Sequence, residues 1–304
     1  MSMSTGAKRQ GFTVWRPCET TKGGEMDAFY KLDAIIKVDE SLCIGCGNCI
    51  RTCPGGLITK GNRVPVPTAD SWDLCIECGH CVTVCPTGAM HQRAMDPEEC
   101  TPLDVHLVPT WDVARQFMVS RRSVRVYVNK PVEKEKIQQC LDVARFAPWG
   151  GNRKAMRWVV ISDPAEVRRT AQMTIDWMKG VRDANPALYK EAKLELFVRA
   201  WDAGQDQISR GAPCLIQAWA PKDERTAPQG ATLALAYTQL AAHALGLGSS
   251  WSGGINTAAQ AYPPLMEALG LPAGTVSHGT ILLGYPAETF LRIPVLKHAD
   301  ITWR

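Results

Sequence analysis

The sequence predicts a chain of mixed helix and strand in two parts, a small cysteine-rich module followed by a larger domain with its own core. Three observations lead there. One cysteine pattern is written twice between residues 43 and 86. Beyond residue 110, segments with helical periodicity alternate with short apolar runs of strand type. The 304 residues, 45% hydrophobic and 21% charged, are enough for one small unit and one full-sized core.

Taken in order, residues 1–34 show little periodicity and read as an extended arm. Leu32 to Val38 supplies a short strand, and 35–95 form the cysteine module. Within it, Gly55 to Ala69 is rich in Pro, Gly, Val and Thr and reads as a hairpin between the two copies of the pattern. A proline-containing, acidic stretch over 96–110 is a linker, and 111–304 form the second domain. There, Val113 to Val119 begins a helix that the corner Arg121-Arg122-Ser123 breaks, and Val124 to Val128 is a candidate strand. Pro131 sits at a favoured first helical position, with Val132, Ile137, Cys140, Leu141 and Ala144 sharing one face. Trp158 to Ile161 reads as a buried strand, Pro164 to Lys179 as a helix and Ala187 to Ile208 as a longer one. Cys214 to Trp219 is a further strand. Gly230 to Gly246 is a helix apolar nearly all round, the mark of burial on every side, for example between two subunits. Thr280 to Leu283 is the last core strand.

The cysteine pattern carries the strongest chemical signal. Cys43-x2-Cys46-x2-Cys49-x3-Cys53-Pro54 recurs 32 residues later as Cys75-x2-Cys78-x2-Cys81-x3-Cys85-Pro86. This run holds [4Fe–4S] cubanes in bacterial ferredoxins, the fourth cysteine of each copy serving the other cluster. Cys43, Cys46, Cys49 and Cys85 are therefore assigned to one cluster, and Cys53, Cys75, Cys78 and Cys81 to its twin. Structural zinc more often takes two separated pairs of ligands, and a disulfide framework belongs to small secreted domains. Cys18, Cys100, Cys140 and Cys214 stand outside the pattern and read as small hydrophobes.

Charge excludes some partners. The net +4 divides into −3 over residues 1–110 and +7 over 111–304. An ordinary solvated surface explains this, as would an anionic cofactor in the second domain and an electron donor meeting the first. No Lys/Arg block with interleaved aromatics points to nucleic acid, and no apolar run is long enough to span a bilayer. The polar opening Met1 to Gln10 lacks the apolar stretch of an export signal, so a cytoplasmic location is expected.

Two clusters need a destination for single electrons. A dinucleotide fingerprint is incomplete, since Gly246-Leu-Gly248-Ser-Ser-Trp251 lacks its third glycine. A better candidate is Ser120-Arg121-Arg122-Ser123-Val124-Arg125, whose guanidiniums and hydroxyls at a helix–strand corner suit a phosphate monoester. The histidines show no ligand pairing. His80 reads as a group that shields or tunes a cluster, and His243 as a core histidine with its hydrogen bonds met.

The order of segments resembles the flavin-dependent nitroreductase family, in members fused to an N-terminal 2[4Fe–4S] ferredoxin domain. The matching pieces are Ser120 to Arg125, Ala147-Pro-Trp-Gly-Gly-Asn152, Ala241 to Ser249 and Gly284-Tyr-Pro-Ala-Glu288. The resemblance implies an α+β fold: a bacterial-type ferredoxin domain, then an FMN-binding domain whose mainly antiparallel central sheet is flanked by helices. It implies a homodimer with FMN in a groove between subunits. By position, Arg121, Arg122 and Ser123 would meet the FMN phosphate and ribityl end, and Arg125 the pyrimidine edge. Asn152 would reach the flavin held mainly by the other subunit. Gly253 and Gly254 would bring backbone amides to the ring, and Lys297 would close on the phosphate. Lys154-Ala155-Met156 and Leu296-Lys297 depart from the pattern, with Arg292 a substitute phosphate contact. Trp149 fits equally a wall of the flavin pocket or the core.

The function this implies is an FMN-dependent oxidoreductase. It would pass electrons from a low-potential donor, such as ferredoxin or NAD(P)H, through two [4Fe–4S] clusters to FMN. The acceptor would be a nitro-type or similarly electrophilic small molecule. Reduction or reductive dehalogenation of another conjugated substrate is an alternative, as is a carrier relaying electrons between proteins. No side-chain acid or base is assigned.

Overall fold

A computed structural model describes residues 34–304. The arm expected over 1–34 falls, but for its last residue, outside them, as does Cys18. The chain separates into two compact units between Pro102 and Leu103, within the stretch expected as linker.

The first unit repeats itself in space as in sequence. Its elements are β1 (Ile36–Val38), α1 (Asn48–Thr52), β2 (Ile58–Lys60), β3 (Pro65–Pro67), α2 (Ser71–Leu74), α3 (His80–Thr83) and β4 (Met90–Gln92). The offset of 32 that relates the cysteines also carries α1 onto α3 and β2 onto β4. Gly47 and Gly79, which precede the two helices, are both left-handed with φ of 72° and 73°, a conformation glycine adopts without a Cβ penalty. β1 pairs antiparallel with β4, Ile36 facing Gln92. β2 and β3 make the expected hairpin, Ile58 facing Pro67. A small core of Ile35, Ile36, Ile58, Val82 and Met90 lies between the cysteine loops.

Two short 3-10 turns, Pro97–Glu99 and Val105–Leu107, lead into α4 (Trp111–Ser120) and α5 (Lys134–Ala144). β5 (Arg157–Ile161), α6 (Pro164–Ala184), α7 (Pro186–Glu191), α8 (Leu194–Asp202) and β6 (Cys214–Pro221) follow. The last elements are α9 (Ala227–Ala244), β7 (Gly248–Trp251), α10 (Gly253–Ala261), α11 (Pro263–Ala268) and β8 (Thr275–Gly284). The four strands form one antiparallel sheet in the order β5-β6-β8-β7.

Side-chain alternation along β6 builds the two cores. Cys214, Ile216 and Ala218 point to one face and pack with Ile281 and Leu283 beneath Ile137 and Cys140 of α5 and Leu235 of α9. Leu215 and Leu282 point to the other, against Ile175 and Met178 of α6, Val198 of α8 and Ile255 of α10. The result is helices on both faces of a central antiparallel sheet, the α+β arrangement expected. Cys140 and Cys214 are fully buried, and burial pushes their thiols up to about 11 and about 12. They pack as small hydrophobes.

Several elements depart from expectation. Val124 to Val128 is no regular strand; it makes isolated bridges only, Ser123 to Ser249 and Tyr127 to Pro286. The helix expected from Pro131 starts at Lys134, although Val132 is buried with its core as foreseen. Trp158 to Ile161 is an edge strand, and Val160 is 38% exposed rather than buried. The single helix expected over Ala187 to Ile208 is two, because Lys193 takes a left-handed φ of 55° and turns Leu194 and Val198 into the core. β7, α10 and α11 were not foreseen. Helix α9 is buried along one side only; Tyr237, Leu240, Ala241, Ala244 and Leu245 line an open groove of about 490 Å³ together with Phe117 and Val143. Among the described residues no helix is long and apolar enough to cross a membrane.

Candidate functional site

The eight repeated cysteines sort into two sets. Cys43, Cys46, Cys49 and Cys85 line one cavity, and Cys53, Cys75, Cys78 and Cys81 line another. Each set takes three thiols from one loop and the fourth from the other copy. The sorting follows from local geometry: the glycine-led helices α1 and α3 curl their own three cysteines inward, and Pro54 and Pro86 turn the chain across. Of these thiols Cys81 resists ionisation most. Burial, then the neighbouring Cys75 and Cys78, push Cys81 up to about 12, so a thiolate set here needs compensating positive iron. A single zinc would draw its thiolates to about 2.3 Å around one point. Among the described residues no three His, Cys, Asp or Glu side chains are grouped in that way.

The arginine corner lies where α4 ends. Arg121 caps α4 with extended backbone, and the chain then runs beside β7, with Val124 N–H donating to the Ser249 carbonyl at 3.0 Å. A Cβ on Gly248 would stand 2.5 Å from Val124, so only glycine allows this approach. Ser120, Arg121, Arg122, Gln239, His243, Gly248 and Ser249 thereby line a cleft of about 310 Å³, with exposed Glu288 at its edge. Arg121 Nη1 is buried without a hydrogen-bond partner among the described residues. Burial and the adjacent Arg122 lower its pKa, yet a guanidinium stays charged at neutral pH. Two adjacent cations and a buried donor lacking an acceptor fit a phosphate group.

Sequence reasoning missed part of this cleft. His243 has the hydrogen bond expected of it but does not lie in the core. It is half-buried at the cleft, shares a 3.0 Å hydrogen bond with Ser120 Oγ and stacks on Phe117. Burial and then Arg121 lower its pKa. Gln239 donates to Ser249 Oγ at 3.1 Å. Both side chains leave the same face of α9, being four residues apart, and two polar residues at that spacing on an otherwise apolar helix were the available signal.

Other expected contacts are not gathered at the cleft. Ser123 forms the bridge to Ser249 at its margin. Arg125 is exposed and donates to the Ser123 carbonyl at 3.4 Å. Asn152 ends a 3-10 turn, Gly150–Asn152, with φ of 54°. Gly253 and Gly254 open α10, and Gly253 has open space where a Cβ would be. Lys297 and Arg292 lie on the exposed C-terminal stretch. Trp149 packs: its Nε1 donates to Thr226 Oγ1 at 2.8 Å, and its ring fills the space over Gly230.

Residues 118–285 match the nitroreductase family, and residues 42–89 match the 4Fe-4S dicluster domain. The first match spans more than half of the chain. The chain belongs to the nitroreductase family and carries a dicluster ferredoxin-type domain ahead of it, which makes it an oxidoreductase with an iron–sulfur domain. A protein of Archaeoglobus fulgidus, provisionally named NADH dehydrogenase/NAD(P)H nitroreductase, is 25% identical over 173 residues, covering 57% of this chain and 85% of that protein. Ferredoxin-3 of Rhodobacter capsulatus is 36% identical over 58 residues, covering 17% of this chain and 54% of the ferredoxin, about half its length. Among solved structures, an FMN-bound nitroreductase of Bacteroides fragilis superposes with a TM-score of 0.52 at 20% identity, covering 64% of this chain and 98% of that one. An FMN-bound nitroreductase of Desulfitobacterium hafniense gives 0.50 at 22% identity, covering 62% and 96%. At these identities the likeness is one of fold.

Proposed function

We propose that the protein is a cytoplasmic, homodimeric FMN-dependent reductase fed through two [4Fe–4S] clusters, acting on nitro-type or similarly electrophilic small molecules. The observation that carries this reading is the sorting of eight thiols into two sets in a chain whose second domain belongs to the nitroreductase family. FMN, the cofactor of the Bacteroides and Desulfitobacterium structures, is the expected destination. The Nη1 of Arg121, buried and without a partner among the described residues, supports a phosphate in the cleft.

Arg121 and Arg122 bind that phosphate as paired cations, with Ser120, Ser123 and Ser249 supplying hydroxyls around it. His243 holds Ser120 in place. Arg125, exposed one turn of chain further on, lies toward the pyrimidine edge. Gly253 and Gly254 present backbone N–H groups at the start of α10. Lys297 closes on the phosphate, Asn152 reaches the flavin held mainly by the second copy of the chain, and that copy seats on the apolar groove over α9, burying the outer face of the helix. Clusters supply single electrons and FMN, when bound, accepts them singly and delivers them in pairs.

The test is anaerobic rapid mixing of the purified protein with NADH, NADPH and reduced ferredoxin in turn, following flavin and cluster absorbance separately. If reduced ferredoxin bleaches the cluster bands first and a nitroaromatic then reoxidises the flavin catalytically, the reading stands. Turnover only when an acceptor protein is added would instead make the chain a carrier.

A further inference from the structure

The two thiol sets share ligands, loops and a backbone frame, so any difference between them must come from the residues around them. Both copies supply backbone donors to the cysteine that crosses over, and at Cys85 the Thr87 and Met90 N–H groups add to them. Leu57 N–H donates to Cys53 Sγ at 3.3 Å, and the equivalent Ala89 N–H, 32 residues on, reaches Cys85. The side chains do not match. Position 60, at the end of β2, is an exposed lysine; its equivalent at the end of β4 is Gln92, only 2% exposed. Gln92 is fixed from three sides. Its backbone pairs with Ile36 across the β1–β4 ladder, its N–H donates to the Met95 carbonyl at 3.0 Å, and its Oε1 accepts from Ala94 N–H at 2.9 Å. The amide nitrogen is thereby turned into the cavity of the second set, 4.0 Å from Cys75 Sγ.

We propose that Gln92 is a tuning residue of the cluster held by Cys53, Cys75, Cys78 and Cys81, raising the potential of that cluster and not of its twin. This rests on the two-cluster reading above. A buried amide N–H must find an acceptor, and the thiolate sulfur is the one it faces. Reduction adds negative charge to the cluster and its sulfurs, so a fixed donor stabilises the reduced form more than the oxidised one. The twin set has a weaker counterpart. Thr87 Oγ1 lies 3.8 Å from Cys85 Sγ where the first copy has Gly55, but Thr87 is exposed and water competes for the same sulfur. A duplicated module thus presents two unlike steps to an electron.

The full-length protein, Gln92→Leu and Thr87→Val would be titrated anaerobically and followed by electron paramagnetic resonance, with iron and acid-labile sulfide measured on each. Gln92→Leu should lower one midpoint potential and leave the other in place. Thr87→Val should lower the other, and by less. If leucine costs iron, Gln92→Met fills similar space without an N–H and is read in the same way. A fully loaded Gln92 variant with both potentials unmoved, or with both moved equally, overturns the proposal. Iron and sulfide short of two clusters in the unaltered protein would instead overturn the two-cluster reading.

Discussion

Arg121 is the residue on which the flavin assignment turns. Its Nη1 is buried without a partner among the described residues, and leaving a charged donor unmet costs about 1–3 kcal/mol or more, an expense that a bound phosphate removes. Arg121→Ala combined with Ser123→Ala should weaken FMN binding on the order of 10- to 100-fold, the equivalent of one charge-assisted hydrogen bond at about 1.5–3 kcal/mol. Flavin content after gel filtration and a fluorescence titration with FMN would measure it, with iron content as the internal control. Full flavin occupancy with intact clusters would remove Arg121 from the phosphate site. At this scale the sequence was readable where chemistry is dense and local. Four cysteines in eleven residues, or two adjacent arginines at a corner, stand out by spacing, although the third arginine, Arg125, is not at the cleft. His243, Gln239 and Ser249 did not stand out, because they enter the cleft only once α9 and β7 are brought side by side, and that juxtaposition is tertiary.

Among elements, α9 shows most clearly how a pattern is read in part. Its apolar composition was legible, but which faces meet the sheet and which remain open depends on neighbours the period does not name. Inner residues Ala231, Ala234, Leu235 and Thr238 are buried, whereas Leu233 is 41% exposed. The 124–128 segment failed as a strand for a related reason. Its apolar alternation is real, yet β7, the neighbouring strand, is only four residues long, and the segment leaves its free edge after Val124 to meet residues 285–287 instead, so isolated bridges result. β7 itself, Gly-Ser-Ser-Trp, has no alternation to find. The contact between α9 and the 147–152 turn gives a sharp test. Any Cβ at Gly230 would fall 2.2 Å from the Trp149 ring. Gly230→Ala gains up to about 1 kcal/mol of helix propensity, but overpacking of this kind costs roughly 1–3 kcal/mol. The clash should win, lowering the denaturation midpoint and displacing Trp149 from Thr226. A shift in tryptophan emission would accompany it, and an unchanged midpoint would mean that the ring moves aside freely.

The whole molecule joins two units whose stability has different sources. The second has two extended cores on either face of a four-stranded sheet. The first has strands of three residues and few buried apolar side chains. A domain of about 60 residues is marginal without disulfides or metal, and the cysteines here are free for iron. Metal-binding free energy is then folding free energy for that unit alone. Oxidative removal of iron with a chelator should therefore unfold residues 35–95 and leave the second domain folded with its FMN. Hydrogen exchange would read the two regions separately: protection should collapse over Cys43 to Gln92 and persist over β6 and β8. Flavin fluorescence would stay quenched. Loss of protection in both regions together would mean that the second domain depends on the first for its stability, and the division between Pro102 and Leu103 would then separate two parts of one cooperative unit.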